Sequence, residues 1–452
     1  MIENIGLLAA LLLLMYMALK GVNIFIASIA ASLVVALTNS MDLSLAFGHN
    51  YTTGPLGAFS FAGKFFWLFF TGAIFGRIMA ETHAASSLAV AMSRRMGKDN
   101  ALWIITLACG LLTYGGVIVF IVIFTIYPLG LRLIQEANIP RRLMCGAAAL
   151  GAGTFTLTAL PGTPSIHNVI TASALGTDLY AAPVLGIVAA SIMLFGGMYY
   201  LKSEQRKAAR NGEMFIASAN EVISSDDQHL PHWLTALVPI VLVLGMILLP
   251  KLVLGFYSDL SQAPAWLVFA KTQGILWPSF SLAIGSVLCL LLMTRFLSTN
   301  LNTILSRGSN DCFMPLLNTS AVIGFGGVVS QTSGFSSFTH FFQNVSMAPE
   351  LSAFLSISAL SAIVGSASGG LQIFMATMAD HYINTGMEIE ELHRILVVSS
   401  GGLDSLPHCG AVIAFLTVMG LTHKEAYKDL AVVTVFFPLI AALSIVGLAI
   451  IF

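Results

Sequence analysis

Four polar, helix-breaking clusters interrupt long apolar stretches of this chain, and each carries groups suited to holding a small ion. The first, Thr113-Tyr114-Gly115-Gly116, stands inside ITLACGLLTYGGVIVFIVIFTIYPL, and the second, Gly365-Ser366-Ala367-Ser368-Gly369-Gly370, interrupts a later run in the same way. Two adjacent glycines each weaken a helix by about 1 kcal/mol relative to alanine. Helix N-termini at such breaks direct N–H groups and a partial positive charge outward, a ready seat for a carboxylate. The hydroxyls of Thr113, Ser366 and Ser368 can donate to an anion or join carbonyls around a cation.

The other two clusters are turns dense in hydroxyls and imidazoles. In GAGTFTLTALPGTPSIHNVI, residues 151–170, Thr154, Thr156, Thr158, Thr163, Ser165, His167 and Asn168 crowd around Pro161, Gly162 and Pro164, which cannot continue a regular helix. In SSGGLDSLPHCGAVIAF, residues 399–415, the polar set is Ser399, Ser400, Asp404, Ser405 and His408. An unwound polar turn at membrane depth survives only against protein or a water-filled cavity. Substrate contacts are therefore assigned to Pro161, Gly162, Thr163, Ser165, His167, Asn168, Ser405 and His408, beside the two Gly-rich clusters.

An intramembrane carboxylate is a candidate for proton relay or cation binding, and a histidine titrates near neutral pH. Asp404, His408 and His167 are accordingly the candidates for coupling a proton or cation. Plainer roles stay open: Asp404 as the cap of the following helix, His167 as a satisfied core histidine. Glu81 and His83 are placed at a helix end, Asp380 and His381 at a membrane boundary. No Arg or Lys deep in an apolar stretch is obvious, so the anion is assigned to backbone N–H groups and hydroxyls.

The elements that must hold these clusters follow from composition. Of 452 residues, 57% are hydrophobic and only 9% charged, with a mean hydropathy of +0.88. A soluble protein is about 25% charged, so the fold class expected is an all-α polytopic membrane protein. That excludes a secreted disulfide scaffold, a nucleic-acid binder and an ordinary soluble enzyme. The 20 Lys+Arg balance 21 Asp+Glu. Cys109, Cys145, Cys289, Cys312 and Cys409 share no metal-ligand spacing and read as small core residues. The N-terminal run has no basic segment before it and reads as a retained first span.

Apolar stretches predict spans near 4–19, 21–38, 57–80, 101–135, 143–160, 166–200, 234–255, 266–296, 313–330, 350–386, 394–421 and 428–452. Several exceed the roughly 20 residues of one crossing and hold a Gly/Ser/Thr break, which predicts hairpins or broken helices within ten to twelve full crossings. Residues 202–232 are polar and loop-like and open with Lys202, Arg206, Lys207 and Arg210, which marks that end as cytoplasmic. Arg94, Arg95 and Lys98 mark another cytoplasmic loop. The linker 202–232 separates two halves, 1–201 and 233–452. Phe75-Gly76 with Thr82 matches Phe325-Gly326 with Thr332, 113–116 matches 367–370, and Leu160-Pro161 matches Leu406-Pro407, with nearly constant offset. Duplicated halves in a membrane protein point to a secondary transporter with its site at the repeat interface. No Walker A, HExxH or GxSxG motif is present.

At the stretch Gly401-Gly402-Leu403-Asp404-Ser405-Leu406-Pro407-His408-Cys409-Gly410-Ala411-Val412-Ile413, followed by Gly420-Leu421-Thr422-His423-Lys424-Glu425-Ala426-Tyr427-Lys428-Asp429, the chain resembles the gluconate permease (GntP) family of the ion transporter superfamily. The resemblance implies proton-coupled uptake of small organic acids by two inverted-topology repeats, each with a re-entrant hairpin and a broken helix, in a membrane-embedded homodimer. It implies that 113–116 and 366–370 are hairpin tips and that 161–168 and 404–408 are broken-helix linkers. Gluconate-type members carry a PPHPGP-like motif where this chain reads Leu160-Pro161-Gly162-Thr163-Pro164-Ser165-Ile166-His167-Asn168. A less hydroxylated carboxylate, such as a hydroxybutyrate-like acid, is at least as well matched.

The resulting expectation is a multi-pass inner-membrane symporter for a small organic anion, not an enzyme and with no cofactor beyond co-transported H+ or, as the alternative, Na+. A cation/proton antiporter, an intramembrane enzyme and a passive channel remain the competing classes.

Overall fold

The computed structural model describes residues 2–216, 230–254, 263–297 and 299–451, all of them helical or in turns between helices. The first half runs α1 (Ile2–Leu19), α2 (Ile24–Thr38), the single turn α3 (Leu43–Leu45), the long α4 (Ala58–Glu81), α5 (Ala84–Met96), α6 (Ala101–Tyr114), α7 (Val119–Glu136), α8 (Arg141–Gly153), α9 (Ile166–Leu175) and the long α10 (Pro183–Arg210). The second runs α11 (Trp233–Leu254), α12 (Ala265–Thr272), α13 (Leu276–Met293), the long α14 (Leu301–Val329), α15 (Ser333–Asn344), α16 (Pro349–Val364), α17 (Ala367–Thr377), α18 (Ala379–Ile383), α19 (Ile389–Leu403), α20 (Gly410–Met419), α21 (His423–Ala431) and α22 (Phe437–Ile451). From α4 and from α14 onward the order is the same: a long helix, a short one, a pair folded back on itself, a broken pair, and a closing long helix.

Local chemistry starts and stops these helices. Asn300 accepts from the Thr303 N–H at 2.9 Å at the head of α14, and Thr332 accepts from Phe335 at 3.2 Å at the head of α15. Thr422 and Glu425 close a capping box before α21. The expected long runs split at their glycines and prolines: 101–135 becomes α6 and α7, and 394–421 divides between α19 and α20. Among the described residues, six helices are long and apolar enough to cross a membrane, Ala58–Glu81, Pro183–Arg210, Trp233–Pro250, Leu276–Phe296, Leu301–Val329 and His423–Ile451. The polar breaks cut several of the other expected spans into shorter apolar helices, among them Ala101–Tyr114, Ile166–Leu175 and Gly410–Met419.

Matching long helices of the two halves lie antiparallel. Gly308 of α14 packs on Ile74 and Arg77 near the end of α4, while Gly324 packs on Ala58 at its start. Arg77 Nε donates to Asp311 Oδ2 at 2.8 Å across this contact, and Arg307 approaches Glu81 at 3.5 Å. The closing helices do the same. The Tyr200 hydroxyl donates to Asp429 at 2.7 Å at one end, while Val184 and Leu448 line one crevice at the other.

Two expectations on boundaries shift. The polar linker does not begin at 202, since KSEQRKAAR consists of good helix formers and α10 runs on to Arg210; residues 217–229 of the linker lie outside the described residues. The basic clusters share one face, as Lys202 Nζ donates to the Asp99 carbonyl at 2.8 Å. There Arg142 of α8 bonds Asp429 at 2.6 Å, Glu213 at 3.0 Å and Glu204 at 3.5 Å, tying the first half to α21. The folded-back pairs turn at Gly116, with φ +94°, and at Gly365, with φ +65°. Residues 367–370 lie past that turn, at the start of α17. Position 113 therefore has its counterpart before Gly365, not in 367–370.

Candidate functional site

The four interruptions converge. A cavity of about 530 Å³ is lined by the tip of the α6–α7 pair, the turn before α9, the tip of the α16–α17 pair and the turn before α20, and it is closed on one side by α4, α13 and α14. Its polar wall carries Thr113, Ser165, His167, Ser366, Ser368, Asp404 and Ser405, while Leu68, Phe69, Leu157, Leu282, Val322 and Phe415 belong to a larger apolar wall.

In the first half, the backbone supplies as much as the side chains. Gly116 reaches the cavity, and a methyl there would lie 2.6 Å from Leu282 and 3.1 Å from Pro164. Its φ of +94° belongs to the region that only glycine enters freely. The Thr113 hydroxyl is 2% exposed and has no protein partner. Ser165 caps α9 through the Asn168 N–H at 3.3 Å and donates to the Leu157 carbonyl at 2.6 Å. His167 lines the cavity with Nδ1 unpartnered.

Other expected contacts face away from the cavity. Tyr114 donates to the Pro161 carbonyl at 2.8 Å, so both secure the turn. Gly115 packs on Ile240 and Gly162 on the Tyr180 ring. Asn168 Nδ2 donates to the carbonyls of Thr163 and Leu179 at 3.0 and 2.9 Å, and its Oδ1 meets His393 Nε2 at 2.7 Å. Thr163 is fully buried with its hydroxyl unpartnered.

In the second half, Ser366 caps α17 through the Gly369 N–H at 3.3 Å and lies 3.2 Å from the Ser368 hydroxyl. Gly369 and Gly370 pack inside the pair, on Val364 and Ser361. The Asp404 carboxylate accepts from the Ser405 hydroxyl at 3.0 Å and shares the cavity wall with Ala367 and Ser368. Asp404 thus ends α19 as its C-cap and shares the cavity with the first turn of α17, whereas the following helix α20, which it was expected to cap, begins after Cys409. His408, 2% exposed, lies outside the cavity wall; its ring packs on Gly365, whose added methyl would come within 2.7 Å of Cδ2. From α21, His423 Nε2 lies 2.9 Å from the Pro407 carbonyl and the Tyr427 hydroxyl donates to the Ser405 carbonyl at 3.2 Å, bracing this turn.

Three residues were missed. Asn318 and Thr319 of α14 line the cavity beside Pro315, and Asn318 Oδ1 is unpartnered; a lone amide one turn after a proline in an apolar helix was the available signal. Arg394 corrects the expectation that no cation is deeply placed: it is fully buried. Its guanidinium donates to the carbonyls of Ala181 at 2.7 Å, Ala159 at 3.3 Å and Leu179 at 3.4 Å, behind the first turn rather than in the cavity. Glu81 and His83 stand at the α4–α5 junction, as expected for a helix end.

Comparison with known proteins agrees with this architecture. The family model described as GntP family permease matches residues 2–451. The transporter YxjC of Bacillus subtilis (strain 168), itself uncharacterized, is 36% identical over 99% of this chain and 100% of its own length. An uncharacterized transporter of Haemophilus influenzae is 28% identical over 38% of this chain and 39% of its own length. Among solved structures, MtrF of Neisseria gonorrhoeae, from a class of antimetabolite efflux pumps, shares the fold at a TM-score of 0.50 and 14% identity, over 89% of this chain and 83% of that one.

Proposed function

This chain belongs to the GntP family of permeases, and from that premise we propose that it is a secondary active symporter taking up a small organic anion with H+, Na+ being the alternative co-ion. It is a multi-pass membrane transporter, and the proposed location is the inner membrane, as a homodimer. The two halves are inverted-topology repeats with re-entrant hairpins α6–α7 and α16–α17; the antiparallel contacts of α4 with α14 and of α10 with α21–α22 support this.

The observation that carries the reading is the meeting of four polar interruptions, two from each half, around one otherwise apolar cavity. Thr113, Ser165, His167, Ser366, Ser368 and Ser405 contact the substrate beside the backbone at Gly116, while Tyr114, Gly115, Pro161, Gly162, Thr163, Asn168, Gly369 and Gly370 shape the turns. Asp404 couples the cation or proton, and His408 and His167 are the further coupling candidates. The extent of apolar wall favours a short hydroxycarboxylate such as hydroxybutyrate over a polyhydroxylated sugar acid, whose hydroxyls would lose water without gaining partners. Proteoliposomes loaded with neither substrate nor sodium test the reading. Labelled 3-hydroxybutyrate, gluconate and lactate are offered under an imposed pH or sodium gradient. One of these acids should accumulate only when one gradient is present. Cation flux without uptake of any acid would favour a cation/proton antiporter, and gradient-independent equilibration a passive channel.

A further inference from the structure

The two hairpin tips differ in what occupies the helix N-terminus they present. Ile118 gives α7 no side-chain cap, and Val119 opens on the cavity. At the second tip, the chain's own carboxylate lines the cavity with the start of α17. Asp404 takes the Ser405 hydroxyl at 3.0 Å and shares that wall with Ser366, Ala367 and Ser368. Asp404 is the one acidic side chain lining the cavity among the described residues, and no Lys or Arg lines it. Thr113 of the first tip, 2% exposed, lines the same cavity, and its hydroxyl has no protein partner.

Resting on the organic-anion symport reading, we propose that Asp404 is an internal competitor for the substrate carboxylate: ionised, it occupies the α17 N-terminus, and a proton taken onto it vacates that seat for the incoming anion. The proton passes from hydronium, whose O–H bond breaks to leave water, to the Asp404 carboxylate, where it forms the O–H of the carboxylic acid. No other covalent bond changes. With Asp404 ionised, a second carboxylate in a cavity without basic side chains meets a like charge and an occupied set of N–H donors. With Asp404 neutral, the substrate carboxylate takes the N–H groups of α17 and the hydroxyls of Ser366 and Ser368. Proton binding thus precedes anion binding, and the pair travels as a neutral load.

The groups around Asp404 limit what else can titrate. On its own turn stand His408 and Cys409, and from α21 His423 and Tyr427 bond the carbonyls of Pro407 and Ser405. Across the cavity lies His167, while α14 contributes the neutral Asn318 and Thr319. Hairpin α16–α17 contributes only the hydroxyls and N–H groups named above.

The test uses the full-length purified protein with 3-hydroxybutyrate as probe from pH 5.5 to 8.5. In the wild type, the dissociation constant should rise by up to about tenfold per pH unit on the alkaline side, the limit for one linked proton. Asp404→Asn should bind with little pH dependence and at least as tightly as the wild type at low pH. In liposomes it should keep counterflow and lose accumulation driven by a pH gradient. Ser405→Ala, which removes a donor to the carboxylate and so favours its protonated form, should move the wild-type profile to higher pH; it serves if Asp404→Asn does not fold. A ligand-free arm separates this inference from the substrate assignment: amide exchange in a peptide spanning 366–374, corrected for intrinsic rates. The wild type should be more protected than Asp404→Asn at pH 8, and the difference should vanish at low pH. Absence of 3-hydroxybutyrate binding at every pH removes that substrate and leaves the exchange result to decide. An Asp404→Asn profile as steep as the wild type's, or equal tip protection at pH 8, overturns the competition.

Discussion

Gly365→Ala isolates how tightly the second hairpin tip is held against its neighbouring turn, because Gly420 provides a matched control. Both glycines end a helix as its C-cap, with φ of +65° at Gly365 and +64° at Gly420. An added methyl at Gly420 meets nothing within 4 Å, whereas at Gly365 it lies 2.7 Å from His408 Cδ2 and 2.8 Å from Nε2. Gly420→Ala therefore carries only the left-handed backbone term, about 1–2 kcal/mol. Gly365→Ala carries that term plus displacement of a packed ring, about 1–3 kcal/mol more. Unfolding in mixed detergent micelles, compared across wild type, both variants and the pair Gly365→Ala with His408→Ala, reads the two terms separately. The double variant should recover most of the excess, since shrinking the ring removes the collision. Equal costs at the two glycines, or no relief from His408→Ala, would refute the close tip-to-turn packing.

Other expectations follow from buried polar groups. Arg394→Lys should destabilise nearly as much as Arg394→Met, by about 3 kcal/mol or more, because one ammonium cannot serve carbonyls of Ala159, Leu179 and Ala181 together; yield of folded monodisperse protein is the measure. Asp429→Asn should cost about 3 kcal/mol, the lower end for breaking a buried pair, because the Arg142 side chain keeps 19% of its exposure. A double-mutant cycle with Arg142→Gln should then show strong coupling. Burial, then Glu388 and Glu350, push the Glu391 carboxyl above the usual glutamate range. A carboxyl raised on folding disfavours the folded state above its unfolded pKa, and the penalty is relieved as pH falls through the raised value. Glu391→Gln should therefore raise the thermal midpoint at pH 7 and lose that advantage in acid.

What was legible in the sequence has local causes. Gly115-Gly116, Pro161, Pro164 and Pro407 stand in turns between helices, so these interruptions could be read from residue type, whereas Gly369-Gly370 lies inside α17. Thr113, Gly116, Ser165, His167, Ser366, Ser368, Asp404 and Ser405 do reach a common cavity. The register of the second tip was not legible: the doubled Gly369-Gly370 attracts the eye, yet the reversal needs one residue with positive φ, and that is Gly365. Asn168 reads as a ligand by type, but the carbonyls it bridges and the His393 it meets become neighbours only on folding. Arg394 hides in EELHRILVV as an ordinary membrane-edge charge, because its acceptors lie more than 200 positions earlier.

On the proposed symport reading, the departure from symmetry bears on coupling. Two equivalent halves alone would build two equivalent seats, and an anion in either would be held equally with or without a co-ion. Here the first tip ends in the uncapped Ile118, while the second shares the cavity wall with Asp404 from the turn between α19 and α20. A seat filled by an internal carboxylate responds to protons, whereas an empty one does not. A substrate that must bridge both tips is then admitted only when the filled seat is released, so its binding inherits the pH dependence of a single side chain. A gradient of protons can act on such a site through that one group, and the second tip, rather than the first, is where coupling should be sought.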